Sequence, residues 1–373
     1  MKSEYTLLVG ALAQAVCKKP VQMPEDVNWP LFLRLAKAHK VEALAYHGLQ
    51  GKLLPTEVQT TLSLAFHNAI FRDAQLEYCK NSLEKALTEA NIPHIFLKGA
   101  VLKHSYPVPA LRTMCDIDVL VYTKDYPAID QIAKTLGGVA GHGDGNHRNY
   151  RFPGDVEVEF HPNLLHHATP VGTGINPGWQ YAEGNVLTPE GFYLNTICHL
   201  ANHFVAGGVG VRFVLDVWVN RHLHKPAFDE ARVEQELKKL NLLEFARNIE
   251  ALSQWWFADG EETPLLAELG QYILTSGSHG VTDRAVLNAV SLSGGKGKAL
   301  WGKVFYPKAE LEDRFPWCRG KAWLLPAAWC TRAFMSVTRH GKHIRTWSEK
   351  TGSVSNEQVT AQRDRLHRFG IKK

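Results

Sequence analysis

The chain has 373 residues, of which 45% are apolar and 21% are charged. This is the composition of an ordinary globular protein, long enough for two or three domains with buried cores, and it excludes a fibrous or disordered chain. The net charge of +5 belongs to the C-terminal segment, because residues 332–373 carry ten Lys and Arg against three Asp and Glu. The rest of the chain is slightly acidic, so nucleic acid is not an expected substrate and a template-directed polymerase is not favoured.

The six cysteines are scattered and form no CxxC pair. This spacing argues against a zinc ribbon or a disulfide framework and fits a reducing cytosol. The N-terminal residues have the pattern of an amphipathic helix rather than of a signal peptide. No segment approaches the ~20 apolar residues that span a bilayer. We therefore expect a cytoplasmic protein without a membrane span.

Residues 1–90 are predicted to form an N-terminal helical region. Apolar residues recur at three- and four-residue spacing in Trp29–Leu49 and again in Gln59–Asn91. Pro55 and Thr56 give a start signal for the second of these helices. We expect this region to pack against the segment that follows it.

Two apolar runs of strand type follow, Ile92–Leu97 and Ile117–Val121. The second run carries Asp116 and Asp118 on alternate positions, and side chains two residues apart in a strand point to the same face. Burial of the intervening apolar residues would direct both carboxylates to the opposite face. Two acids held together on a rigid strand repel each other, and a hard cation such as Mg²⁺ (or Mn²⁺) normally offsets that repulsion.

A second pair of strands is predicted downstream of a helix at Asp125–Leu136. The runs Arg148–Phe152 and Val156–Phe160 are joined by Pro-Gly-Asp, which is a good hairpin signal. In the second run Glu157, Glu159 and His161 alternate with apolar residues. One face of this strand is therefore acidic and ends in a histidine.

The pattern becomes helical again from residue 188, where Thr-Pro gives a start signal. His199 and His203 lie four residues apart on one face of this helix. A zinc pair is not favoured there, because no acid stands between them in metalloprotease order. Arg212 and Asp216 have the same spacing on the next helix, where an ion pair is the simplest interpretation.

We divide the chain into residues 1–90, 91–187, 188–336 and a basic, mobile tail at 337–373.

Four features of the central segment resemble the uncharacterised nucleotidyltransferase family, which belongs to the polymerase-β-type superfamily. They are Leu97-Lys98-Gly99, Tyr106-Pro107, Arg112 and Asp116-Ile117-Asp118, and the resemblance extends over about residues 25–335. It implies an α+β fold in which a small mixed-sheet, polymerase-β-like core is embedded between helical regions. The chain departs from the superfamily in having Gly99-Ala100 where Gly-Ser is usual, with fifteen residues between Ala100 and Asp116.

The resemblance also implies where the remaining site residues stand. The superfamily has a third acid on a later strand, and the family's acid, apolar residue and His resemble Glu159-Phe160-His161. We therefore prefer Glu159 as the third ligand, with Glu157 as the alternative. Matching His and Arg/Asp positions recur in the family's helices, which implies a substrate-side wall of His199, His203, Arg212 and Asp216.

The expected reaction is transfer of a nucleoside monophosphate from an NTP to a hydroxyl of an unidentified acceptor, which could be a small molecule, a sugar or a protein. Two Mg²⁺ ions on Asp116, Asp118 and Glu159 would carry it. Lys98 and Arg112 are candidates to neutralise phosphate, although Arg112 could equally pair with a core acid. Gly99 and the free N–H groups of the helix after it would approach phosphate. His161 would either support the metal ligands, which we prefer, or orient the acceptor. The alternatives are an inactive binding or regulatory relative and, less favoured, a metal-dependent hydrolase using histidines.

Overall fold

The computed structural model describes residues 3–141, 147–165, 171–222, 229–277 and 282–372. Helices α1 to α16 comprise, in order, Ser3–Cys17, Trp29–Ala38, Glu42–Gly48, Thr56–Glu89, Gly99–Leu102, Tyr126–Thr135, Pro189–Val205, Val211–His222, Glu230–Lys239, Leu243–Phe257, Pro264–Leu274, Thr282–Ser293, Lys296–Val304, Lys308–Arg314, Leu325–Ser353 and Asn356–Arg368. Strands β1 to β7 comprise His94–Phe96, Asp116–Val121, Val139–Ala140, Arg148–Phe152, Val156–His161, Ala182–Glu183 and Val186–Leu187. The chain is thus a mixed α and β protein dominated by helices.

Five of the strands form one mixed sheet in the order β1-β2-β5-β4-β3. Strands β2 and β5 are parallel, and the other neighbours are antiparallel. The predicted hairpin is confirmed as β4 and β5, and its turn contains Gly154 and Asp155 at positive φ. The predicted small mixed sheet between helical regions is therefore present.

The register of the sheet follows from burial of one of its faces. Ile117, Val119 and Val158 are fully buried on the face that packs against α4 and α6. Burying each such side chain contributes about 1.5–3 kcal/mol, and a slip of one residue would expose the whole set. The alternate residues of β2 and β5 consequently point away from this core, toward α7 and α8.

The first of the two helices over this second face, α7, begins where the sequence predicts. The hydroxyl oxygen of Thr188 accepts a hydrogen bond from the backbone N–H of Gly191 at 3.1 Å, and Pro189 is the first residue of α7. Both α7 and α8 are buried over most of their circumference in the main core. None of the helices in the described ranges combines the length and apolar character needed to cross a membrane.

The C-terminal residues differ from the expected mobile tail. Residues 356–368 form α16, which begins with a capping box at Ser355. Leu366, Phe369 and Ile371 are buried in the main core, and the side-chain amide of Gln362 donates to Asn288 Oδ1 at 2.7 Å. The expectation of a mobile tail was based on the basic charge of the segment and did not consider these apolar residues. Leu366 lies on the buried side of α16, and Phe369 and Ile371 follow the end of that helix.

Candidate active site

Three carboxylates meet on the sheet face that points toward α7 and α8. Asp116 and Asp118 lie on β2, and Glu159 lies on the parallel neighbour β5 as the direct partner of Asp118. One oxygen atom from each of the three side chains lies within 4.8 Å of the others. Asp118 is buried, while Asp116 and Glu159 are partly exposed toward a cleft. This spacing is suited to shared ligation of divalent cations.

The structure separates the two candidates for the third acid. Glu157 lies two residues before Glu159 on the same face of β5, opposite Asp116 in the register. Its side chain is half exposed, and its Oε1 atom lies 2.6 Å from Arg151 Nη2. Of the two alternatives, only Glu159 belongs to the cluster around Asp118.

Two basic side chains contact the buried carboxylate of Asp118. Lys98 Nζ and His161 Nε2 each lie 2.8 Å from its Oδ1 atom, and His161 Nε2 also lies 3.4 Å from Glu159 Oε2. Lys98 has a backbone φ of 48°, which is uncommon for a residue with a side chain. Such a conformation is retained where the surrounding structure imposes it. Here it reverses the chain between the end of β1 and the start of α5, beside the cleft.

The three carboxyl groups differ in their protonation behaviour. Burial raises the pKa of Asp116, and the neighbouring negative charge of Asp118 raises it further. Burial likewise raises the pKa of Glu159 above its usual range. Burial also acts to raise the pKa of Asp118, but the positive charge of Lys98 and the hydrogen bond from His161 outweigh it and lower the pKa. The cluster thus favours additional positive charge near Asp116 and Glu159.

The turn after Lys98 is tighter than expected. A Cβ atom on Gly99 would clash with Arg112 Nη1, so a side chain here would require the Arg112 guanidinium to move. The helix that follows has four residues, and the N–H groups of Ala100 and Val101 donate to backbone carbonyls at 3.2 and 3.3 Å. The prediction of free N–H groups at this helix start is therefore wrong for these two amides.

Arg112 pairs with a core acid, which was one of its two expected roles. Its Nη2 and Nε atoms donate to the two oxygens of Asp216 on α8, at 2.7 and 3.2 Å. The hydroxyl of Tyr106 donates to the same carboxylate at 2.6 Å. All three residues are buried. This bidentate pair joins the segment before β2 to α8 and supports the wall of the cleft.

The other predicted wall residues line the cleft beside the carboxylates, which has a volume of about 230 Å³. His199 and His203 on α7 lie with their Nε2 atoms 3.1 Å apart. Burial, together with the charge of Lys98, lowers the pKa of His199 well below its usual value. His199 is therefore neutral at pH 7, and His203 lies one helical turn further along the same face.

Arg212 is a partly buried cation of the cleft with an unpaired donor. Its Nη1 atom donates to the carbonyl of Thr113, and its buried Nε atom has no hydrogen-bond partner in the described part of the chain. Burial and the nearby charge of Arg112 lower its pKa. An anion in the cleft would relieve both the unpaired donor and the unbalanced charge.

Among the cleft residues that the sequence interpretation missed is Asn195. It is 2% exposed, and its Oδ1 atom has no hydrogen-bond partner among the described residues. Asn195, His199 and His203 follow one another at four-residue spacing on α7. This polar row, on a helix whose other buried residues are mostly apolar, was the signal that could have identified Asn195.

Comparison with known proteins identifies a family whose profile covers these residues. Searches of curated proteins and of solved structures each returned no match. The profile of a family described as uncharacterised nucleotidyltransferase matches residues 25–258, a shorter span than the sequence resemblance suggested. These residues include the carboxylate cluster, its basic neighbours and the cleft wall on α7 and α8. The chain belongs to the uncharacterised nucleotidyltransferase family.

Proposed function

We propose that this protein transfers a nucleoside monophosphate from an NTP to a hydroxyl of an acceptor molecule. The observation that carries the proposal is the convergence of Asp116, Asp118 and Glu159 from two parallel strands to within 4.8 Å. We further propose that residues 91–187 form a polymerase-β-like catalytic core. Family membership supports nucleotidyl transfer in general.

The donor set fits Mg²⁺ or Mn²⁺. All three side chains offer carboxylate oxygens, which hard divalent cations prefer. The pKa values of Asp116 and Glu159 are raised by burial and, to a smaller extent, by the negative charge of Asp118. We propose Asp116, Asp118 and Glu159 as the ligands of two such ions. When bound, the ions would neutralise phosphate charge and make the acceptor hydroxyl more acidic.

The basic residues of the cleft would bind and orient the nucleotide. Lys98 is held against Asp118 at the edge of the cluster, where its ammonium group can also meet a phosphate oxygen. Arg212 is a better phosphate ligand than Arg112, because Arg112 is occupied by Asp216 while Arg212 retains an unpaired donor. We therefore assign phosphate binding to Lys98 and Arg212, and we assign to Arg112 the support of the wall.

The row of polar residues on α7 would face the acceptor. His199 is neutral, so its ring can accept or donate a hydrogen bond without adding a fixed positive charge, and His203 lies beside it. Asn195 adds an unpaired carbonyl oxygen. These groups suit a neutral polar acceptor bearing hydroxyl groups, such as a small molecule, a sugar or a protein side chain.

The test uses substitutions that retain side-chain volume. Asp116→Asn and Glu159→Gln should each reduce Mg²⁺-dependent pyrophosphate release by at least about 100-fold, the loss typical of removing one electrostatic contact to a transition state. Glu157→Gln is the matched control, because Glu157 lies on the same strand but pairs with Arg151, and it should retain activity. Circular dichroism checks that each variant is folded. Full activity of Asp116→Asn would refute the assignment.

A second candidate is an inactive relative that acts as a binding or regulatory protein. It is favoured by Ala100 at the usual serine position and by the occupied amides of Ala100 and Val101. Calorimetric titration with Mg-ATP and Mg-CTP separates the two candidates. Binding of either nucleotide to the wild type, weakened in Asp116→Asn, supports the enzyme, whereas no binding of any NTP favours the inactive relative.

A further inference from the structure

Two histidines extend the carboxylate cluster toward strand β4. His161 is the last residue of β5, and His147 immediately precedes β4. The antiparallel register of these strands ends with Arg148 opposite Phe160, so one further step brings His147 opposite His161. Side chains directly opposed across an antiparallel pair lie on the same face, which here is the face of Glu159.

The side-chain geometry agrees with this register. The imidazole rings of His147 and His161 lie with centroids 4.6 Å apart and planes at 79°. One ligand atom from each of His147, Glu159 and His161 lies within 4.8 Å of the others. Both histidines are buried, at 9% and 6% exposure, and Glu159 faces the cleft. The three groups therefore form a compact set, in which Glu159 lines the cleft and His147 lines a separate pocket on the same sheet.

This donor set differs in kind from that of the three acids. Two imidazole nitrogens and one carboxylate oxygen are ligands typical of Zn²⁺ with a position left open, whereas Mg²⁺ binds through oxygen atoms. Imidazole ligands also increase the preference for late divalent metals. We propose that His147, Glu159 and His161 bind a divalent transition metal of the Zn²⁺ class, at a site that shares Glu159 with the carboxylate cluster.

Sharing Glu159 couples this site to the cluster. Zinc binds an imidazole nitrogen through its lone pair, so the same nitrogen of His161 cannot at that time donate a hydrogen to Asp118. Zinc binding therefore withdraws Glu159 from the acids and competes with the contact between His161 and Asp118. The consequence for activity, inhibition of the Mg²⁺-dependent reaction by zinc, rests on the proposed function, whereas zinc binding itself does not.

The experiment measures binding of the metal alone to the full chain. Protein stripped with a chelator is titrated with Zn²⁺ against a chromophoric competitor, and Co²⁺ serves as a spectroscopic probe. His147→Asn and His147→Ala should weaken zinc binding by at least about 10-fold, the smallest loss usual even for a residue that only supports a ligand. The intense visible absorption of four-coordinate Co²⁺ should be lost in the same variants.

Two control variants report on other histidines. His203→Ala disrupts the neighbouring pair on α7, and His67→Ala removes an exposed histidine of α4; both should bind zinc as the wild type does. The proposal is overturned by a wild type that binds no stoichiometric zinc, by equal affinities of His147→Asn and the wild type, or by loss of binding in His203→Ala. Because no nucleotide is present, these outcomes leave the proposed function untouched, and failure to find nucleotidyl transfer leaves the zinc result valid.

Discussion

Removing the charge of Asp216 should strongly destabilise the protein. The Asp216 carboxylate is 4% exposed and accepts hydrogen bonds from both Arg112 and Tyr106. Asp216→Asn retains the size of the side chain but leaves the buried guanidinium of Arg112 without a counter-charge, close to that of Arg212. Breaking a buried ion pair by removing one partner costs about 3–5 kcal/mol. We expect a loss in this range.

The assay is urea unfolding at pH 7, followed by circular dichroism and tryptophan fluorescence. With a slope of about 3 kcal/mol per molar urea, a loss of 3 kcal/mol lowers the midpoint by about 1 M. Glu230→Gln is the control, because Glu230 is 69% exposed in its pair with Arg221 and such pairs contribute about 0–1 kcal/mol. Its midpoint should hardly change.

A double variant separates the ion pair from general damage to packing. Replacing both partners, as Arg112→Met with Asp216→Leu, removes the unpaired charge along with the pair. Apolar replacement of a whole buried pair is often neutral, so the double variant should be more stable than Asp216→Asn. If Asp216→Asn shifts the midpoint no more than Glu230→Gln does, the argument from the buried charge is wrong.

Two further predictions concern contacts distant from the cleft. His39 is fully buried. Its Nδ1 atom accepts a hydrogen bond from Val211 N–H, and its Nε2 atom is hydrogen-bonded to the carbonyl of Leu274. Burial lowers the pKa of His39 below the 6.5 of an exposed histidine. The unfolded chain therefore binds more protons as pH falls through 6.5, and the unfolding free energy should decrease by up to about 1.4 kcal/mol per pH unit. Urea curves from pH 8 to 5 should show this decrease and His39→Gln should reduce it; an equal slope in both proteins would contradict it. Phe369 is buried between Phe204 and Tyr272, so Phe369→Ala should cost about 3–5 kcal/mol, whereas an unchanged urea midpoint would mean that the C-terminus does not pack.

The strands and their faces could be predicted because their cause is local. Alternation of apolar and acidic residues in β2 and β5 depends on neighbours one and two positions away, and it placed the acids of each strand on the side opposite its buried residues. That the two acidic sides share one face of the sheet follows from the parallel pairing of β2 with β5. The choice between Glu157 and Glu159 could not be made from alternation, because both lie on that face. The register of β2 against β5 places Glu159 beside Asp118 and Glu157 beside Asp116, and Glu157 contacts Arg151 across the hairpin.

The amino-acid sequence by itself determined the helical regions, the hairpin and the face on which the acids lie, because periodicity and turn chemistry act within a few residues. Only the tertiary structure decided how the arginines around the cleft are paired. Arg112 was matched to Asp216 across 104 residues, which left Arg212 as the guanidinium with an unpaired donor in the cleft. The distance between two charged side chains from distant segments depends on how those segments pack together. That packing depends on contacts throughout the core and cannot be inferred from neighbouring residues in the sequence.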